Sequence, residues 1–340
     1  MSTSVQTKIE TQAVSANTAS LRVRIKAHLC IARFDHSIKN VFILPGIILP
    51  LSILREPFTP TLIKHLGIGF LSATLIACSN YVLNEVLDAP FDKKHPLKCT
   101  RPAARGLVSI PTAYCQWLLM MILGIAIACT LSWHFALTAA GLWIMGCLYN
   151  IPPFRTKDVL YLDVLTEAIN NPLRMLLGWY MVTSTLVPPV SLIVSYWMLG
   201  CYFMALKRFS EYREIGSPLM AGAYRKSFLR YTERSLLGSV LFYASVAMLM
   251  FGAFIMRYRM ELILAVPFVA LLMAMYFDLA FHPNSAVQHP EKLYRQPALM
   301  ATTIITSTVF IALLYCNIPW IGRFFSPTLP QAHLVKITNR

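Results

Sequence analysis

Nine apolar runs follow one another along this chain, each near the about 20 residues a helix needs to cross a bilayer. They lie near 38–54, 62–83, 113–131, 135–149, 163–182, 186–206, 236–256, 260–280 and 298–320. Pro45 and Pro50 interrupt the first run, which is tolerated where neighbouring helices cover the freed backbone groups. No stretch between the runs is long enough for a soluble domain. Of the 340 residues, 56% are hydrophobic and 13% are Asp, Glu, Lys or Arg, against roughly 25% charged residues in soluble domains. A single soluble core cannot enclose that much apolar side chain. The composition excludes an ordinary cytosolic enzyme, a disordered chain and a nucleic-acid-binding domain. The expected fold class is all-α, a polytopic membrane protein of about nine transmembrane helices.

Residues 26–322 are expected to form one integral membrane domain. A polar, disordered N-terminal tail is expected over 1–25 and a C-terminal tail over 323–340. Residues 1–20 lack an apolar core, so no cleavable signal peptide is expected. The eight cysteines show no CxxC and no metal-ligand spacing, and most sit inside apolar runs as small hydrophobes.

The charges are lopsided: 30 Lys and Arg against 15 Asp and Glu, a formal net charge of +15. With nine crossings, 23 of the 30 bases fall on the side of the N-terminus. The positive-inside rule places that side, with its long loops, in the cytoplasm. The same loops hold most of the acids, so the chemistry is expected there. The bilayer and lipid phosphate are the expected partners of the basic excess, and nucleic acid is not.

Three segments carry the chemistry. The first runs from Asn84 to Pro102. Asn84, Asp88 and Asp92 are spaced i, i+4, i+8, which stacks three oxygen donors on one helix face. That set suits Mg²⁺, which takes one or two carboxylates and completes its shell with phosphate oxygens and water. Pro90 is expected to kink or end the helix before Asp92. Lys98 and Arg101 follow closely enough to grip the same phosphates. A solvated loop of mixed charge is the competing explanation; the position of the whole set at the end of an apolar helix argues against it.

The second segment is Tyr149 to Lys157, with Asp163, Glu167 and Arg174 beyond it. Pro152 and Pro153 read as a helix stop and a rigid turn presenting Arg155 and Lys157 at the membrane surface. Asp163 and Glu167 are one helical turn apart, with Arg174 two turns further on. Such groups face a polar cavity or snorkel to headgroups. In the third segment Lys207, Glu211 and Glu214 can share a helix face. Further along, Lys226, Arg230 and Arg234 recur every four residues beside Arg225, the pattern of an amphipathic basic helix on anionic lipid.

These residues resemble the UbiA superfamily of intramembrane prenyltransferases. Asn84, Asp88 and Asp92 match its first signature after the second helix, and Tyr149 to Lys157 match its Tyr-x-x-Pro-Pro-x-Arg-x-Lys type segment. Over roughly 30–315 the chain is most similar to the decaprenyl-phosphate phosphoribosyltransferase branch. The shared features are Lys39-Asn40, His95-Pro96-x-Lys98-x-x-Arg101-Pro102, Lys207-Arg208-x-x-Glu211 and Arg225-Lys226-Ser with Tyr231-Thr. There are departures. Glu85 stands where Asp is usual. Most prenyl-transferring members carry a second aspartate-rich motif where this chain has Lys207, Arg208, Glu211 and Glu214. The Pro152-Pro153-x-Arg155 turn is similar to the aromatic-acceptor members.

The resemblance implies a Mg²⁺-dependent enzyme moving a 5-phosphoribosyl group from phosphoribosyl diphosphate to a polyprenyl phosphate. Asn84, Asp88 and Asp92 would hold the metal, with Asp88, Asp92, Lys207 and Glu211 at the reacting centre. Lys39, Lys98, Arg101, Tyr149, Arg155, Lys157, Asp163 and Arg208 would bind the phosphates and sugar. The alternative is transfer of a prenyl group from an allylic prenyl diphosphate to a small aromatic acceptor. A transporter is a third class of answer, but it predicts mid-bilayer charges and inverted repeats, and no repeat is evident.

Overall fold

A computed structural model describes residues 20–93, 98–216, 220, 222, 225–288 and 290–325. Most of both expected tails, His95, Pro96 and Tyr224 lie outside the described residues. Among those described, all regular structure is helical. The chain forms α1 (Leu21–Ile31), then a 3₁₀ segment (Phe34–Ile43) leading into α2 (Leu44–Leu54). Next come α3 (Pro60–Asp92), α4 (Ile110–Cys129) and α5 (Trp133–Asn150). They are followed by α6 (Leu162–Ala168), α7 (Asn170–Val182) and α8 (Val190–Ile215). The last are α9 (Glu233–Tyr258), α10 (Val266–Leu279, entered through Met260–Ala265), α11 (Pro297–Tyr315) and α12 (Pro319–Phe324).

Each of the nine apolar runs falls on helical structure, but among the described residues six helices are long and apolar enough to cross a bilayer. These are α3, α4, α8, α9, Met260–Leu279 and α11. The first run is shorter, over Lys39–Leu54, and the fifth is divided at Ile169 into α6 and α7. Chain polarity breaks the fifth run: it carries Asp163, Glu167, Asn170, Asn171 and Arg174 among its apolar residues. Large apolar side chains remain exposed on the outer faces, among them Leu119 and Ile122 of α4 and Leu241 and Leu249 of α9. Left bare in water these would be a liability; facing lipid they are a solvent-matched surface.

The most extensive helix pairings are α8 with α9 and α3 with α4. The α8–α9 pair anchors one core, with Tyr202, Leu206, Phe209, Leu236 and Tyr243 buried together. The α2–α7 pair is closer still. A Cβ at Gly46 would fall 1.8 Å from the Met175 carbonyl oxygen, and one at Gly178 would fall 2.2 Å from that of Ile43. Reciprocal glycines let two backbones touch, which is how membrane helices gain contact without a hydrophobic driving force. That contact fixes the 3₁₀ segment bearing Lys39 against the helix bearing Arg174.

Two local expectations are corrected. Pro90 does not end α3, which continues to Asp92. It removes one backbone donor near the helix end, and the last turn survives, with the Lys93 amide bonded to the Ala89 carbonyl at 3.1 Å. The basic stretch 225–234 is not one helix. Lys226–Leu229 form a 3₁₀ turn, and α9 starts afresh at Glu233 behind a Thr232–Ser235 capping box. The turn is held by Asp163, which accepts from Ser227 Oγ at 3.2 Å and from Tyr231 Oη at 2.7 Å.

Candidate active site

The three chemical segments meet at one end of the bundle. The end of α3 brings Asn84, Asp88 and Asp92. The turn after α5 brings Arg155 and Lys157, the start of α6 brings Asp163 and Glu167, the end of α8 brings Lys207 to Glu211, and the 225–231 turn closes over them.

Asp88 is the meeting point of the first two. Its Oδ1 accepts from Lys157 Nζ and, at 3.1 Å, from Arg155 Nη2. Lys157 also donates to Asn150 Oδ1 at 2.9 Å. Arg155 sits at φ 27, in the left-handed region, which costs a non-glycine residue about 1–3 kcal/mol and persists where surroundings over-determine it. Arg155 is so determined: Asp88, Asp158 and the Asn150 carbonyl all accept from its guanidinium. Asp92 is buried and pairs with Arg101 Nη1 at 2.7 Å. Asn84, Asp88 and Asp92 lie on consecutive turns of a continuous helix, each about 6 Å along the axis from the next. One ion could therefore reach Asp88 and one of its neighbours, leaving its remaining positions to phosphate and water. Among the described residues no three His, Cys, Asp or Glu side chains gather as a closed metal cage. An open set of two carboxylates and a carboxamide still fits a Mg²⁺ ion that shares its shell with substrate phosphates.

The other side is organised by Arg208, which is only 2% exposed. Each guanidinium nitrogen faces a different carboxylate. Nη2 donates to Glu167 at 2.7 Å, Nη1 donates to Glu211 at 3.1 Å, and Nε stands 3.4 Å from Asp163. Asp163 is fully buried and serves this frame rather than an open cavity. Glu167 also accepts from Tyr149 Oη at 2.9 Å, and Tyr149 accepts in turn from Arg225 at 3.3 Å. Arg208 is thus held among three carboxylates, two of them by hydrogen bonds and Asp163 by charge alone, since its Nε makes no hydrogen bond. Three lysines add positive charge around this pole. Lys207 has no ion-pair partner among the described residues and lies in the fields of Glu211, Glu167 and Lys39. Lys39 stands 5.6 Å over the Tyr81 ring. Lys98 lies within electrostatic range of Arg225, Arg101, Glu211 and Asp92.

Burial and neighbouring arginines push the Lys98 ammonium below the usual lysine range, with Glu211 and Asp92 opposing. Burial does the same to Lys157, against the pull of Asp88. The Tyr231 phenol is pushed up, by burial first and by Asp163 second. These are the marks of a partly dry, charge-dense site.

Among the described residues Asp88, Asp92, Arg101, Tyr149, Arg155, Lys157, Asp163, Glu167, Arg208 and Glu211 have bonded or ion-paired partners at this end, Asn84 lies one turn before Asp88, and Glu214 bonds instead to Gln288. Asn150 and Ser227 lie inside segments that the sequence singles out, but the sequence assigns neither a role. Each is an ordinary polar residue whose role depends on a partner 7 or 64 positions away. Only the adjacency of Asn150 to Tyr149 hinted at the first.

The sequence profile of the UbiA prenyltransferase family matches residues 43–303, more than half of the chain. This protein belongs to the UbiA prenyltransferase family. Several UbiA-type structures share its fold. A UbiA homologue of Archaeoglobus fulgidus bound to GPP and Mg²⁺ superposes with a TM-score of 0.64 at 19% identity, over 85% of this chain and 98% of that one. A digeranylgeranylglyceryl phosphate synthase gives 0.59 at 14% identity, over 86% and 97%. An apo UbiA homologue from Aeropyrum pernix gives 0.53 at 15%, over 86% and 97%. In sequence, 32% of the chain is 33% identical to an uncharacterised protein of Sinorhizobium fredii, spanning 21% of that protein's length. In this UbiA-family transferase α8 carries Lys207, Arg208, Glu211 and Glu214 near its end, with no Asp-xxx-Asp there.

Proposed function

We propose that this UbiA-family protein transfers a 5-phosphoribosyl group from phosphoribosyl diphosphate to a polyprenyl phosphate, with its active end in the cytoplasm. The observation that carries this reading is the state of the α8 pole. Glu167, Glu211 and Asp163 are all drawn to Arg208 and Glu214 to Gln288, so among the described residues no pair of carboxylates there stands without such a partner. What the pole offers instead is lysine. A donor with phosphate at both ends of its sugar needs two anion-binding poles of different chemistry, and an uncharged aromatic acceptor needs only one.

In this mechanism Asn84, Asp88 and Asp92 would hold Mg²⁺ against the diphosphate, as the Archaeoglobus relative holds the ion with GPP. Bound there, the ion supplies Lewis-acid stabilisation of the departing diphosphate. Arg101, Arg155 and Lys157, which balance Asp88 and Asp92, flank that same group. Lys39, Lys98 and Lys207 neutralise the 5-phosphate at the other pole. The lipid phosphate oxygen attacks the anomeric carbon, the bond from that carbon to the diphosphate oxygen breaks, and diphosphate leaves with the electron pair. No general base is required because the nucleophile is already an anion. Glu211, fixed by Arg208, is placed to accept a ribose hydroxyl.

Prenyl transfer is the second reading. It is favoured by the GPP and DMAPP complexes of the Archaeoglobus relative, since the Asp88 pole suits an allylic diphosphate equally well. Purified protein in detergent with Mg²⁺ separates the two. Phosphoribosyl diphosphate with polyprenyl phosphate is expected to give a lipid-linked phosphoribose. Turnover solely with a prenyl diphosphate and an aromatic acceptor would overturn the first reading.

A further inference from the structure

Arg174 lies on α7, well inside the fifth apolar run and seven residues beyond Glu167 of α6. It is 7% exposed. Its Nε is buried without a hydrogen-bond partner, and so is the Oδ1 of Asn170 one turn earlier. Among the described residues its one hydrogen bond is a long one, from Nη1 to the Asn170 carbonyl at 3.4 Å. Among the described residues no carboxylate pairs with it. A guanidinium enclosed in a membrane bundle with no counter-charge is costly, and such residues mark ligand paths. Arg208, by contrast, is equally buried but has three carboxylates.

The surroundings of Arg174 place it beneath the phosphate poles. Tyr196 of α8 lies within its electrostatic range and donates to the Phe42 carbonyl at 3.3 Å. Phe42 is three positions beyond Lys39 on the 3₁₀ segment, and Tyr196 is eleven before Lys207 on α8, which returns to the same helix face. Lys39, Glu167 and Lys207 thus form an upper tier, and Phe42, Arg174 and Tyr196 a lower one.

We propose that Arg174 binds the phosphate of the prenyl-lipid substrate. This rests on the reading of the site as one that joins a soluble phosphorylated donor to a prenyl phosphate. The lipid tail must leave the bundle sideways into the bilayer, so its phosphate enters from below the donor. A guanidinium in the lower tier holds that phosphate opposite the departing diphosphate, the arrangement an in-line displacement needs. The unsatisfied Asn170 carboxamide oxygen supplies an acceptor for a hydroxyl or water at the same place.

The test uses the full-length protein in detergent and isothermal titration with geranyl phosphate, geraniol, phosphatidylglycerol and phosphoribosyl diphosphate, each alone. Arg174→Met is expected to weaken geranyl phosphate at least about tenfold and phosphoribosyl diphosphate by less than about twofold, with Arg174→Lys recovering part of the loss. Its melting temperature is expected to equal or exceed that of the parent, because an unpaired buried charge is gone. Unchanged geranyl phosphate binding in Arg174→Met would overturn the proposal, as would equal weakening of both phosphates or of geraniol. Phosphatidylglycerol binding with the same dependence on Arg174 would assign the site to bilayer lipid and overturn it too. If Arg174→Met does not fold, Arg174→Lys and Arg174→Gln carry the same comparison. Because no transfer is measured, a protein that moves prenyl groups instead of phosphoribose would fail the proposed reaction and still decide the role of Arg174.

Discussion

At the level of single residues, the site is a set of charges whose partners decide their availability. Asp88 holds two cations, and we propose it as the central Mg²⁺ ligand between Asn84 and Asp92. Asp88→Asn is expected to lower kcat about 100-fold or more, an effect matched by EDTA in the parent and absent from ligand-free melting curves. Lys98 gives a pH prediction. Its ammonium is depressed, so it loses its proton on raising pH earlier than a solvent lysine does. Phosphate binding should therefore weaken on an alkaline limb of kcat/KM that lies below the ordinary lysine range, and Lys98→Arg should move that limb upward. The sequence made nearly all of these residues legible, since acids and bases are scarce in a chain this apolar. It did not show which were already consumed. Arg208 and Lys207 are neighbours in sequence, yet one is locked among three acids and the other is open. That difference comes from the side of α8 each faces and from a loop 64 residues beyond Asp163.

Helices and their joints carry the next level. Apolar length located the six helices long enough to cross a bilayer among the described residues, because a bilayer demands unbroken apolar length. Joints were harder. Pro90 was expected to break α3, but a proline near a helix end loses a single donor, and packing around Asp92 and Arg101 holds the last turn. The four-residue spacing of bases at 226–234 predicted a helix, but Asp163 captures Ser227 and Tyr231 and tightens the chain into a 3₁₀ turn. Tertiary bonds to a buried acid outweigh a local pattern. The α2–α7 contact offers a test of how an element positions the site. Gly178→Ala would drive a methyl against the Ile43 carbonyl and is expected to cost about 1–3 kcal/mol. It should also displace the segment bearing Lys39, so both the melting temperature and the KM for the phosphorylated donor should worsen. A lowered melting temperature with unchanged KM would show that α7 does not set the position of Lys39.

For the molecule as a whole, family membership and fold fix a helical bundle with one charged end. We propose that the active end faces the cytoplasm, because nine crossings would put 23 of the 30 bases on its side. In a background lacking the other cysteines, Cys99, near the active end, should react with a membrane-impermeant maleimide from the cytoplasmic face, and Cys316, after α11, from the opposite face. Labelling of both from one face would mean that the number of crossings between them is even. The central claim is that the bond broken lies at the sugar and the prenyl carbon–oxygen bond survives. It is tested by supplying a prenyl phosphate with heavy oxygen in the bridge between prenyl carbon and phosphorus, together with phosphoribosyl diphosphate and Mg²⁺, and weighing the products. A lipid-linked phosphoribose that retains the heavy oxygen is predicted. Heavy oxygen released in inorganic phosphate, with the prenyl group moved elsewhere, would contradict it.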